Sequence, residues 1–124
     1  MKYVAGQRWT YQSRPGEEDS RVTILVVDDL PNYGVVVFVS VDGLRIRDAS
    51  APNGIRTQIL FSAFTLDAIE RSVVQLEGQL AAPDCDEQLR RWREAHDEEL
   101  AAPSTKTVGD AVRTVQAICD RRNI

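Results

Sequence analysis

The stretch GVVVFVSVDGLRIR, residues 34–47, constrains this chain more than any other. Val35, Val36, Val37, Phe38 and Val39 are uninterrupted strand formers, and Val41 prolongs the run beyond Ser40. A half-buried strand alternates apolar and polar residues; this one has no polar side. It reads as a strand covered on both faces, which places it in the middle of a sheet.

Strand signals flank it. In residues 7–13, Trp9 and Tyr11 share one face and Arg8, Thr10 and Gln12 the other, the period of a half-buried strand. Arg14-Pro15-Gly16 ends that strand, and Glu17, Glu18 and Asp19 read as an acidic, solvated loop. Residues 21–27 form a second strand, stopped by Asp28 and Asp29. After the central strand, Asp42-Gly43 is the signal of a type I′ hairpin, whose two central residues both need positive φ. It predicts a fourth strand over 44–47, with Leu44 and Ile46 pointing one way and Arg45 and Arg47 the other. Residues 48–54 are a loop by composition, and 55–63 a fifth strand. The expectation is a five-stranded antiparallel meander over 7–63.

Beyond Phe64 the apolar period lengthens. Leu66, Ile69, Val73, Leu76 and Leu80 step by three or four and predict a helix over 66–80, N-capped by Thr65. Cys85, Leu89, Trp92, His96 and Leu100 predict a second helix over 85–100. Val108, Ala111, Val112, Val115 and Cys119 predict a third over 108–121, opened by Thr107 and Asp110 in capping-box fashion. Residues 104–107 read as an extended link with the makings of an edge strand. Strands first and helices second give an α+β fold, with the helices on one face or end of the sheet. The length of 124 residues fits one domain over 1–124.

Charge excludes some partners. The chain carries −4 overall; residues 1–64 hold seven Lys/Arg and seven Asp/Glu, whereas residues 65–124 hold eight and twelve. A binder of phosphate backbones has a basic excess, so no nucleic acid is expected. No run approaches the roughly 18 consecutive apolar residues of a membrane span, and residues 1–9 lack the apolar core of a signal peptide. Cys85 and Cys119 form no CxxC pair and read as free thiols of a cytoplasmic protein.

No catalytic constellation emerges. His96, the only histidine, falls on the apolar stripe of its helix, where a packed histidine outweighs a general base. Asp84 and Asp86 flank Cys85 and should raise its pKa, which opposes a nucleophilic thiolate. One His and two distant Cys are too few for a zinc site, and no calcium or nucleotide loop is present, so neither metal nor cofactor is expected. Two charged features remain. Arg45, Arg47 and Arg56 make a candidate anion-binding patch if the fourth and fifth strands pair, since guanidinium forks match carboxylate and phosphate; cross-strand pairing with Asp or Glu is the competing reading. Glu94, Asp97, Glu98 and Glu99 form an acidic end on the second helix after the basic Arg90, Arg91 and Arg93, a solvated face or half of a complementary interface.

The segments GQRWTYQSRPGEEDS (6–20), VDGLRIRDASAPNG (41–54) and LRRWREAHD (89–97) resemble a family of small, uncharacterised bacterial proteins. The resemblance implies a bacterial cytoplasmic protein and carries no activity, ligand or catalytic residue with it. The residues themselves support a protein-binding module for a basic partner, of the immunity type that neutralises a toxin domain. The alternative is a small-anion-binding domain, or a cryptic enzyme, with a pocket between sheet and helices.

Overall fold

A computed structural model describes residues 2–123. In chain order it contains β1 (Gln7–Tyr11), β2 (Arg21–Leu30), β3 (Gly34–Asp42), β4 (Ile46–Arg47), β5 (Ile55–Arg56), β6 (Ile59–Thr65), α1 (Leu66–Ser72), β7 (Val73–Gln79), α2 (Asp86–Asp97) and α3 (Val108–Arg122). The main sheet is antiparallel, in the order β6-β3-β2-β1-β7, and β4 pairs with β5 in a separate ribbon. The fold is therefore α+β, a five-stranded antiparallel sheet with three helices.

Its core follows from the alternation of β3. Val36 and Phe38 point to one face and Val37 and Val39 to the other, and all four are 0% exposed. On one side Val37, Val39, Trp9, Ile24 and Phe64 pack against Ile69 of α1 and Val108, Val112 and Cys119 of α3. On the other, Val36, Phe38 and Ala63 meet Leu89 and Trp92 of α2, with the Trp92 ring edge-on to Phe38 at 5.0 Å between centroids. Helices thus cover both faces, not one. The middle position belongs to β2, with β3 beside it. The caps at Thr65 and Thr107 are real: each side-chain oxygen accepts the N–H three residues on, from Ala68 and Asp110, at 3.2 Å. Ser104 makes a single parallel bridge to Phe64.

Four sequence expectations are revised. The first helix stops at Ser72, and residues 73–79 become β7, the edge strand beside β1. The Ser72 hydroxyl donates back to the Ala68 carbonyl at 2.6 Å and accepts the Val108 N–H at 2.9 Å, while the Ser72 carbonyl accepts the Gln12 N–H at 3.0 Å. These groups end the helix, and pairing with the open edge of β1 takes over two β-branched residues, Val73 and Val74. Leu76 and Leu80, which mimicked a helical stripe, are exposed.

The fourth predicted strand leaves the sheet, and the fifth, expected over 55–63, divides into β5, which pairs with β4 in the ribbon, and β6, which takes the place beside β3. Gly43 has φ of 65°, but Asp42 stays in the β3 ladder opposite Arg21, so no type I′ turn forms. A Cβ on Gly43 would lie 2.9 Å from the Asp19 carbonyl oxygen, so the chain turns there against the loop before β2. Leu44 and Ile46 still bury their side chains, under α3.

The third departure is Glu17. Its loop is not wholly solvated: Glu17 is only 3% exposed. The chain end predicted for the second helix is shorter too, since α2 closes at Asp97 and Leu100 is exposed.

Candidate functional site

Glu17 is buried because it organises the ground under β4. Its two carboxylate oxygens accept from Arg14 Nε and Nη2 at 2.6 and 2.8 Å, and Oε2 also accepts the Arg45 N–H at 2.6 Å. Burial alone would raise this carboxyl, but the Arg14 guanidinium and the Arg45 N–H outweigh it and hold Glu17 below its ordinary value. Next to it, the buried Gln116 of α3, whose Oε1 also accepts from Arg14 Nη1 at 3.4 Å, accepts the Arg47 N–H at 3.1 Å and donates to the Arg47 carbonyl at 3.2 Å. Asn123 adds a second donor to that carbonyl. Side chains thus take over the hydrogen bonds a neighbouring strand would supply, which keeps β4 short and fixes the backbone of Arg45 and Arg47.

The outward side chains of β4 open on a cleft of about 290 Å³ lined by Arg14, Pro15, Gly16, Glu17, Arg45, Arg47 and Arg113. Four guanidiniums from three separate parts of the chain meet there. Arg47 pairs with Asp120 at 3.6 Å and Arg113 with Asp110 at 3.3 Å, both on the surface, and Arg45 has no ion pair among the described residues. Of the arginines singled out in the sequence, Arg45 and Arg47 share this cleft and Arg56 does not. β4 and β5 do pair, but Arg56 lies opposite Ile46, the inward residue, and so on the opposite face from Arg47. Arg56 instead meets Asp48 at 3.1 Å, a carboxylate 2% exposed that Ser50 holds below its ordinary pKa first, with Arg56 adding to it. Arg14 and Arg113 were not readable as site residues. The spacing Arg14-x-x-Glu17 across a Pro-Gly turn hints at an ion pair, but nothing in sequence brings Arg113 to β4.

The acidic end of α2 lies on the other side of the sheet. Glu94 is engaged by Arg90 at 2.6 Å, and Arg93 ties the helix to Asp28 of β2. Asp97, Glu98 and Glu99 are exposed and have no basic partner among the described residues. Glu99 adopts φ of 62°, which turns the chain back after the helix. Asp97 and Glu99 line a cavity of about 470 Å³ together with Asn32, Tyr33 and His96. His96 stacks on Trp92 at 5.0 Å and meets Tyr33 edge-on at 5.5 Å. Its Nδ1 lies 2.8 Å from the Ala101 carbonyl, which requires the proton on Nδ1. His96 is therefore a packed histidine whose hydrogen bond goes to backbone.

Cys85 and Cys119 are buried free thiols. Burial first, then Asp86 and Asp84, push the Cys85 thiol up, away from thiolate chemistry. Among the described residues no three His, Cys, Asp or Glu side chains cluster as metal ligands, and no helix is long and apolar enough to cross a membrane. No family model matches the chain, and no curated protein or solved structure matches it either.

Proposed function

We propose that the protein is a binding module for a basic protein partner, of the immunity type that covers the active surface of a toxin domain, and that the acidic end of α2 is its contact. The observation that carries this reading is the cavity beside Asp97 and Glu99. Carboxylates with no basic partner among the described residues stand there next to the aromatic pair Tyr33 and His96, a setting that suits an arginine or lysine side chain from outside. Exposed Glu98 and the acidic excess of residues 65–124 add a field that attracts a basic surface. The bacterial cytoplasm, implied by the sequence resemblance, is the compartment that goes with it.

The test is capture of the partner from source cells by the wild type and by the Asp97→Lys/Glu98→Lys variant side by side. The expected result is one basic polypeptide retained in equimolar amount by the wild type and lost by the variant, whose circular dichroism is unchanged. Equal retention by both, or an acidic partner, overturns the reading.

A further inference from the structure

We infer that the cleft beside β4 binds a small tetrahedral oxyanion, phosphate or a phosphate monoester, through the side chains of Arg45, Arg47 and Arg113. This site is separate from the α2 surface and stands or falls independently of it. Like charges brought together repel, and here four guanidiniums from the loop after β1, from residues 45–47 and from α3 converge on three carboxylates, Glu17, Asp120 and Asp110, which leave Arg45 without an ion pair among the described residues.

The four arginines are unequal. Arg14 is committed: its fork is closed on buried Glu17, and its side chain is only 16% exposed. It supports the floor of the cleft. Arg47–Asp120 and Arg113–Asp110 are solvent-exposed pairs at 3.6 and 3.3 Å, a class worth only about 0–1 kcal/mol. A bound anion can therefore recruit both guanidiniums at little cost. Arg45 needs no partner displaced. Meanwhile Glu17 and Gln116 fix the backbone on which Arg45 and Arg47 stand, so the donors are mounted on a rigid base.

Size and lining set the ligand class. The volume of about 290 Å³ lies at the small end of ligand sites. The lining holds no aromatic side chain to stack a nucleobase, and no lysine. Two forks from one face of the 45–47 segment and a third from α3 suit a tetrahedral dianion, whose oxygens point several ways. A planar carboxylate offers two oxygens in one plane and satisfies one fork.

The test follows the guanidinium Nε–Hε signals of the whole chain by nuclear magnetic resonance during titration with inorganic phosphate. Chloride at matched ionic strength, glycerol 3-phosphate and succinate serve as parallel probes. Saturable shifts at Arg45, Arg47 and Arg113 are expected with phosphate and with the monoester, with a Kd of about 1 mM or tighter. Chloride should give none, and succinate should bind at least about tenfold more weakly. Arg45→Gln should weaken phosphate about tenfold, and Arg56→Gln, whose guanidinium is held by Asp48, should leave it unchanged. Shifts that track ionic strength alike in chloride and phosphate, or wild-type affinity in a folded Arg45→Gln, overturn the site. Equal binding of succinate overturns the assignment to phosphate chemistry.

Discussion

The two faces of the sheet are closed by helices of similar pattern and different depth. α3 buries Val108, Gly109, Val112, Gln116 and Cys119, whereas no residue of α2 is fully buried. α3 reaches the sheet through apolar contacts and then clamps β4 through Gln116 and Asn123. α2 rests on Leu89 and Trp92 and is tied by one surface ion pair, Arg93–Asp28. The difference divides labour: the α3 face supplies stability and a fixed arginine cleft, and the α2 face presents charge while contributing little to the core. An apolar stripe on a helix shows which side faces inward; it does not say how far inward that side goes.

The sharpest way to break this comparison is Ile46→Ala. Ile46 is 0% exposed beneath α3, and its truncation should cost about 2–5 kcal/mol in denaturant unfolding. A cost no larger than that of an α2 substitution would erase the distinction. Glu17→Gln should cost about 2–4 kcal/mol, because it strands the largely covered Arg14 guanidinium. The same variant carries a pH signature. The folded carboxyl lies below its ordinary value, so its stabilisation is complete above the unfolded pKa of about 4.3 and is lost as pH falls through the folded one. Wild-type stability should fall across that acidic window, and Glu17→Gln should lack this component when unfolding is measured at pH 3 to 6, a range set to bracket about 4.3.

On the α2 face the expected effects are smaller. Leu89 is half-buried, and Leu89→Ala should cost about 1–2 kcal/mol. It should also raise amide exchange in α2 before α3 is affected; equal exchange in both helices would show one cooperative unit. Smallest of all is Tyr3→Phe. Tyr3 is 1% exposed and its hydroxyl makes no hydrogen bond of standard geometry among the described residues, the Glu70 carboxylate acting on it only at longer range, so removing that hydroxyl should change stability by less than about 0.5 kcal/mol or improve it slightly.

The legible parts of the fold were those where local pattern and tertiary demand agree. The run through Val39, the alternation of Trp9 and Tyr11, and the caps at Thr65 and Thr107 each say locally what the packing also requires. The strand β7 was hidden because its residues space like a helix and only the open edge of β1 recruits them. β4 was misplaced because, beyond its short pairing with β5, its hydrogen-bond partners are side chains of α3, far away in sequence. The candidate anion site was legible by half: Arg45 and Arg47 follow from alternation, but the face of Arg56 depends on a register that sequence does not fix. Arg14 and Arg113 depend on how α3 lies across the ribbon. The acidic end of α2 was visible as charge, and its aromatic neighbour Tyr33 was not, because the turn between β2 and β3 that holds it lies far from α2 in sequence.

The most direct measurement of the division between the faces is the association rate of the captured partner with two charge variants, at low and at high salt. Asp97→Lys/Glu98→Lys should slow association markedly at low salt, and the deficit should shrink as salt shortens the range of the interaction. Arg45→Ala/Arg47→Ala should associate like the wild type. The opposite pattern, with silent reversals on α2 and a weakened arginine variant, would contradict the assignment of the partner to the acidic end of α2 and move it to the cleft beside β4.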